Sequence, residues 1–306
     1  MGIVIISPNR STDVWESEIR KIDPNIDIQV FPNIERYEDV SVALLWNHPT
    51  GLLSKFPNLK LICSMGAGVD HILADDTISD NLPITRIVDP KLTFSMSNFV
   101  IMGVLNYHRQ WPRYQKQQVE QKWDMSQPEI PIHIGVLGVG ELGGDLIRKL
   151  QALDLKVAGY GNSVKEGLSY PYYHGGQLQD FLDQINVIVC LLPLTPDTEK
   201  FLNKDFFLKC KKGTYLINVA RGKHLVEADL IDALDQGQLS GALLDVFLEE
   251  PLPQQHPFWR HDKIQVTPHI ASVTNPKAAV PQIVNNYHNI LNQQPLTNQI
   301  DRARGY

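Results

Sequence analysis

Short apolar runs alternate with longer segments of helical character along almost the whole chain. Ile3–Ile6, Val42–Trp46, Leu61–Ser64 and Ile84–Ile87 are brief, largely apolar runs that read as strands. Leu92–His108 is the longest uncharged stretch, interrupted by Ser95, Ser97, Asn98 and Asn106. It falls short of the roughly 20 apolar residues a membrane helix needs, so it predicts a long core or interdomain helix. The polar stretch Arg109–Lys122 reads as a solvated helix face, its charge offset by Glu120 and Asp124. Pro128 and Pro131 then punctuate the chain, and a second series of runs begins. Its strands are expected at Ile132–Leu137, Val157–Tyr160, Val187–Leu191, Tyr215–Asn218, Ala242–Val246 and Ile264–Thr267. Two successive α/β series, each a parallel sheet covered by helices on both faces, are the architecture this pattern predicts.

Composition agrees and narrows the chemistry. A length of 306 residues suits two domains at about 150 residues each. The 28 basic against 34 acidic side chains leave a net charge of -6, which supplies no general field for a polyanion. Nucleic acid is therefore not an expected partner, and any anionic ligand must be held by a local cluster of donors. Cys63, Cys190 and Cys210 lie far apart without a CxxC pair, which predicts buried reduced thiols rather than a disulfide scaffold or a zinc site; no metal is expected. Met1-Gly2 leads into Ile3–Ile6 without a basic segment or small-residue cleavage site, so a cytoplasmic location with no membrane attachment is expected.

The strongest local motif is Gly138-Val139-Gly140-Glu141-Leu142-Gly143, directly after the strand Ile132–Leu137 and opening a helix over Leu142–Leu153. In G-x-G-x-x-G the first glycine permits the tight turn and the second lets a pyrophosphate approach the backbone. The third lets the helix pack on the strand. The helix N-terminus then offers free N–H groups to the anion. A bare tight turn would show the glycines too, but the strand before and the strand Val157–Tyr160 after favour a dinucleotide.

An acidic residue at the end of the second strand would hold the ribose 2′-hydroxyl of NAD. Here that strand ends Tyr160-Gly161-Asn162-Ser163, with no carboxylate. Asn162, Ser163 and Lys165 can donate hydrogen bonds or charge to a 2′-phosphate, so NADPH is the preferred cofactor, with NADH as the alternative.

Three ionisable residues stand beyond strands of the second series. Arg221 follows Tyr215–Asn218, Glu250 follows Ala242–Val246 within Glu249-Glu250-Pro251, and His269 follows Ile264–Thr267. Ligands of an open parallel sheet bind beyond the carboxyl ends of its strands, so a guanidinium, a carboxylate and an imidazole are expected on one rim. A lone histidine after a strand is usually a packing or surface residue; the ordered set of three is what favours catalysis. Glu249 reads as a solvated neighbour, Trp259 as packing, and His108, His174 and His224 as structural or surface residues.

These residues resemble the D-isomer-specific 2-hydroxyacid dehydrogenases. The resemblance runs in order through the glycine turn, Leu191-Leu192-Pro193-Leu194-Thr195-Pro196-Asp197-Thr198, Ile217–Gly222, Leu244–Phe247 with Glu250-Pro251, and Thr267-Pro268-His269. In the first series Gly66-Ala67-Gly68-Val69-Asp70 looks like that family's substrate-carboxylate loop. The ending Asp301–Tyr306 and the Gly161–Ser163 region look most like its glyoxylate/hydroxypyruvate reductases of A type. Formate dehydrogenases of the same superfamily carry Gln where this chain has Glu250, which argues against that activity. Where the family often reads Ala-Glu at the start of the interdomain helix, this chain has Ser97-Asn98 and supplies no carboxylate there.

The resemblance implies a discontinuous, flavodoxin-like substrate domain over 1–97 and 275–306 and a Rossmann domain over 98–274, with the ligand cleft between them. It implies a reductase of short, anionic 2-oxo acids, glyoxylate to glycolate or hydroxypyruvate to D-glycerate, working as a homodimer whose arm is Leu92–Lys122. His269 would give the proton, since an imidazole titrates near neutrality. Glu250 would hold its other nitrogen and favour the charged form. Arg221 would bind the substrate carboxylate, aided by backbone N–H groups at Gly66, Ala67 and Gly68. Asp245 would face the nicotinamide amide, with Leu192, Pro193, Thr198 and Ala220 along the cofactor. Trp46 would wall the substrate side, though a core role fits it equally, and His71 is a further candidate. The rival readings are a dehydrogenase of larger 2-hydroxy acids and a cofactor-sensing binding protein like the family's corepressor relatives.

Overall fold

The structure is a computed structural model and describes residues 1–8 and 10–305; Asn9 lies outside the described residues, as does Tyr306, the last residue of the terminal segment singled out above. The chain divides into two compact units, Met1–Leu92 with Val273–Tyr306, and Thr93–Ser272. Sequence placed these junctions at 97/98 and 274/275.

The first unit contains β1 (Gly2–Ile6), α1 (Asp13–Ile22), β2 (Asp27–Val30), β3 (Val40–Leu45), β4 (Leu61–Ser64), α2 (Asp70–Leu73) and β5 (Ile84–Thr85). Its sheet is parallel throughout, in the order β2-β1-β3-β4-β5, the flavodoxin-like arrangement. The second unit holds most of α3 (Pro90–His108), then α4 (Trp111–Val119), β6 (Ile134–Leu137), α5 (Glu141–Ala152), β7 (Val157–Gly161), β8 (Tyr172–His174), α6 (Leu178–Leu182) and β9 (Val187–Cys190). It continues through α7 (Lys204–Lys209), β10 (Thr214–Asn218), α8 (Glu227–Asp235), β11 (Leu239–Leu244) and β12 (Ile264–Val266). The order β12-β11-β10-β9-β6-β7-β8 is a Rossmann sheet with one added strand. The chain then returns to the first unit as α9 (Pro276–Leu291).

Both sheets are buried on both faces, and the two-residue period of a strand sorts their side chains. In β9, Val187 and Val189 join Val100, Val104, Leu146 and Leu150 of α3 and α5. Their neighbours Ile188 and Cys190 point the other way, to Phe181, Phe206, Phe207 and Leu230 of α6, α7 and α8. In β1, Ile3 and Ile5 meet Ala279, Ile283 and Tyr287 of α9, while Val4 and Ile6 face Leu53, Phe56 and Ile72. These continuous apolar strands are why two doubly wound layers form.

Two edge strands escape the sequence pattern. Asp27-Ile28-Gln29-Val30 is half polar, and its buried Gln29 amide is satisfied by the backbone of Glu35 and Arg36. Tyr172–His174 is half-buried and aromatic rather than aliphatic. β5 stops at Thr85 instead of reaching Ile87, because Arg86 N–H donates to Asn298 and Ile87 N–H to the Gly66 carbonyl. Gln299 pairs antiparallel with Thr85, so the C-terminal segment lies along that edge. β11 begins earlier than expected, at Leu239, and ends before Asp245.

Candidate active site

The glycine turn leaves β6 with Gly138 at φ +93°, a conformation that favours glycine. A Cβ at Gly138 would lie 2.5 Å from the Leu191 carbonyl oxygen, and one at Gly143 would lie 2.0 Å from the Gly138 carbonyl oxygen. These two glycines therefore close the turn onto β9 and α5. Gly140 differs: nothing lies within 4 Å of its Cβ position, and no side chain caps α5. An open glycine at the N-terminus of a twelve-residue helix is what a pyrophosphate needs, so the residues present fit a dinucleotide. Glu141 and Leu142 form the first helical positions.

Beyond β7, Asn162, Ser163 and Lys165 are all exposed, and no carboxylate stands at the strand end. The Lys165 ammonium donates to the Val139 carbonyl at 2.5 Å, which seats its charge directly beside the glycine turn. Tyr172 donates its hydroxyl to the Ser163 carbonyl and fixes the same bend. On the other side of β6, Leu192 and Pro193 are half-buried after β9. The Thr198 hydroxyl donates to the Pro193 carbonyl at 2.6 Å and accepts from Thr195 N–H, so this side chain shapes the loop.

Arg221 follows β10. The preceding Asn218 is fully buried; its amide donates to the Arg221 carbonyl and its oxygen accepts from the N–H of the buried Ala220. Gly222 is required here, since a Cβ would fall 1.9 Å from the Phe247 carbonyl carbon. That contact brings the Arg221 turn against the segment leading to Glu250. His224, expected to be structural or surface, is buried, and its ring nitrogens lie 3.2 Å from the Arg221 carbonyl and 3.3 Å from the Pro193 carbonyl. It ties together the two loops beyond β9 and β10, a role visible in sequence only as a histidine three residues after an arginine.

Glu250 and His269 meet. Glu250 accepts from the Phe247 N–H at 3.0 Å through Oε1, and its Oε2 lies 2.7 Å from His269 Nδ1. Burial pushes the Glu250 carboxyl upward, but the hydrogen bond and charge of His269, the Phe247 N–H and the Arg221 guanidinium outweigh it, and its pKa is lowered. An ionised Glu250 makes Nδ1 the donor of this bond and leaves Nε2 as the reactive position. His269 itself sits at φ +54°, a left-handed conformation uncommon for a non-glycine residue. Asp245 enforces it: Oδ1 accepts from the Thr267 hydroxyl at 2.6 Å and the Ile270 N–H at 2.9 Å, and Oδ2 from the Ala271 N–H at 2.8 Å. The carboxylate expected at the nicotinamide amide is thus seen buried and clamping the segment that carries His269.

In the first unit, Gly66-Ala67-Gly68 follows β4, with the Ser64 hydroxyl donating to the Gly68 carbonyl and accepting from the Gly66 N–H. Trp46 is half-buried after β3; a Cβ on Gly66 would lie 2.8 Å from its ring, and the His71 ring stands 5.0 Å away. The ring packs against the core of this unit and touches the loop at Gly66. Cys63, Cys190 and Cys210 are free and buried, and burial pushes their thiols up to about 12. Among the described residues no cluster of three or more His, Cys, Asp or Glu is placed to hold a metal ion, and no helix is long and apolar enough to cross a membrane.

A Rossmann unit with an acid–base pair at its strand ends defines the class: a nicotinamide-dependent oxidoreductase. A family model described as "D-isomer specific 2-hydroxyacid dehydrogenase, NAD binding domain" matches residues 101–271. The chain is 37% identical to the glyoxylate/hydroxypyruvate reductase A of Serratia proteamaculans over the full length of both. A D-isomer specific 2-hydroxyacid dehydrogenase from Xanthobacter autotrophicus Py2, solved with NADPH and MES, superposes with TM-score 0.93 at 37% identity, covering 100% of this chain and 99% of that one. The NADPH-dependent glyoxylate/hydroxypyruvate reductase of Sinorhizobium meliloti, solved with NADP and sulfate, superposes at 0.92 with 33% identity over all of both chains. The chain belongs to the D-isomer-specific 2-hydroxyacid dehydrogenase family.

Proposed function

We propose that this chain is a cytoplasmic, NADPH-preferring reductase of short 2-oxo acids, converting glyoxylate to glycolate and hydroxypyruvate to D-glycerate. The observation that carries the reading is the His269–Glu250 pair, held at 2.7 Å beside Arg221 at the strand ends of a dinucleotide-binding unit. Full-length relatives named as glyoxylate/hydroxypyruvate reductases support the substrate class.

The nicotinamide cofactor supplies the hydride when bound, held at the Gly138–Gly143 turn, along Leu192, Pro193 and Ala220, and at Asn162, Ser163 and Lys165 around its 2′-phosphate. His269 gives its Nε2 proton to the carbonyl oxygen of the 2-oxo acid, while Glu250 stabilises the imidazolium through Nδ1. Arg221 pairs with the substrate carboxylate and draws electron density from the carbonyl, and the N–H groups of the Gly66–Gly68 loop are carboxylate donors of the first unit. Trp46 walls the substrate at that loop. The assembly is a homodimer built through the α3–α4 arm.

The test is a turnover screen of short 2-oxo acids with NADPH and NADH in parallel, in the parent protein and in His269→Gln. The variant should lose reduction by roughly 100-fold or more, the range of a general acid, while binding NADPH nearly as before. Parent-like turnover in His269→Gln overturns the assignment.

A further inference from the structure

We propose that Glu227 and His256 are positioning residues for the proton-transfer step: together they fix the loop that presents Glu250 to His269. The proposal rests on the reductase reading above and deepens it, because a fixed Glu250 serves the reaction only through the His269 proton.

Glu250 lies in the long connection between β11 and β12, residues 245–263. A connection of that length has many conformations to lose, so its side chains are held only where its backbone has fixed partners. Two such anchors meet at one side chain. Glu227, the first residue of α8, accepts from the Leu248 N–H at 3.3 Å through Oε1, and its Oε2 lies 3.2 Å from Nε2 of His256. Leu248 stands before Glu250 in the loop and His256 after it, so Glu227 brackets the Glu250 segment from both sides.

The hydrogen-bond pattern assigns the proton on His256. Its Nδ1 accepts from the Phe258 N–H at 3.3 Å, so the hydrogen is on Nε2 and the imidazole donates to Glu227. Both ends of this bond are rooted in the same core. Phe258 is buried in one cluster with Leu230 and Leu234 of α8, the helix that Glu227 opens. The His256 ring stands at 70° to the Phe258 ring, with centroids 4.5 Å apart. A carboxylate in the first turn of a helix also meets the positive end of the helix dipole. The bracket is thus built on packed helix and core, and the loop hangs from it.

The link to Glu250 is one peptide long. The Phe247 N–H donates to Glu250, and the next N–H, that of Leu248, donates to Glu227. Consecutive backbone donors are divided between the two carboxylates, so a shift of Leu248 carries the donor of Glu250 with it. Asp245 has the corresponding part for the other member of the pair, by holding the segment of His269. Glu227 and His256 act through Glu250, and that dependence separates their part from a general contribution to folding.

A double-mutant cycle tests the dependence. Initial rates with NADPH and glyoxylate would compare the parent, Glu227→Gln, Glu250→Gln and the variant carrying both. Glutamine keeps the size of Glu227 but replaces one acceptor oxygen with an NH2 donor, so Leu248 and His256 lose one of their two acceptors. In the parent background kcat should fall about fivefold with KM for glyoxylate little changed, the mark of an interaction expressed in the transition state. In the Glu250→Gln background the same change should have almost no further effect. His256→Ala, run through the same cycle, should give the same pattern, and it decides the matter if the Glu227 variant does not fold. A loss of equal size in both backgrounds, or no loss in either, overturns the positioning role while glyoxylate reduction by the parent stands. A parent without turnover on glyoxylate or hydroxypyruvate overturns the reductase reading and the positioning role with it.

Discussion

Nδ1 of His269 lies 2.7 Å from Oε2 of Glu250, and the two residues reach each other from loops beyond different strands, β12 and β11. The bond is set by backbone that neither side chain supplies. Glu250 is anchored by the Phe247 N–H, and His269 is held at positive φ by a segment whose Thr267, Ile270 and Ala271 all donate to Asp245.

This pairing predicts a pH effect with a definite sign. The Glu250 pKa is lowered, so the group is ionised throughout the neutral range, accepts at His269 Nδ1, and loses its charge only as pH falls well into the acid range. Glu250→Gln removes that charge. The acid-side loss of kcat/KM that follows protonation of Glu250 in the parent should then be absent, and kcat/KM should be roughly tenfold lower through the neutral range. A profile superimposable on that of the parent would show that Glu250 does not act on the imidazole.

The 2′-phosphate site proposed above gives a prediction about the cofactor. Lys165 is tethered to the Val139 carbonyl, and Asn162 stands exposed where a carboxylate would hold a 2′-hydroxyl. Asn162→Asp places a negative charge against the 2′-phosphate and offers an acceptor to NADH. The ratio of kcat/KM for NADPH to that for NADH should fall by about tenfold or more, equivalent to ~1.4 kcal/mol, in parallel initial-rate assays. A ratio unchanged by the substitution would place the 2′-phosphate elsewhere.

Elements of the fold and site differ in how plainly local sequence encodes them. The Gly138, Gly140 and Gly143 spacing is legible because Gly138 and Gly143 answer local steric demands that only a missing side chain meets, while Gly140 leaves the helix N-terminus open. Arg221, Glu250 and His269 are legible as strand-end residues because short runs rich in buried apolar residues precede them. β2 and β8 are not, because an edge strand needs no apolar run; Gln29 is buried yet satisfied by backbone that only the fold brings near. The clamp of Asp245 on the His269 segment and the bridge of His224 from Arg221 to Pro193 are tertiary in the same sense. Their partners lie on different strands or loops, and no periodicity marks them.

The buried pair of His48 and Asp75 predicts how the fold responds to acid. Their side chains are 0% and 2% exposed and lie 3.0 Å apart. Burial pushes the Asp75 carboxyl up, but the Thr77 hydroxyl and N–H, the Gly51 N–H and His48 prevail and hold it at about 2. A carboxylate held below its unfolded value of about 3.9 adds stability above that pH, and the gain is lost as pH falls toward 2. Asp75→Asn should therefore cost on the order of 2 kcal/mol at pH 7 and flatten the decline in stability between about pH 4 and pH 2. Urea unfolding followed by fluorescence at several pH values checks both; an equal decline in the variant would assign the acid sensitivity to other groups.

The arm after α3 predicts the state of assembly. Val119 and Trp123 are 85% and 92% exposed, with Met125 and Trp111 beside them in sequence and also exposed. Large exposed apolar side chains concentrated in one segment mark a candidate contact with another chain, and the homodimer proposed above supplies one. A symmetric pair meets through the same patch on both copies, so a single charge introduced there is opposed by its own image. Val119→Glu with Trp123→Glu therefore sets four like charges into the interface while touching no residue of the His269 site. The parent should elute at twice the chain mass in light-scattering chromatography and the double variant at the chain mass, with an unchanged circular dichroism spectrum. A double variant that stays dimeric would move the interface off this arm.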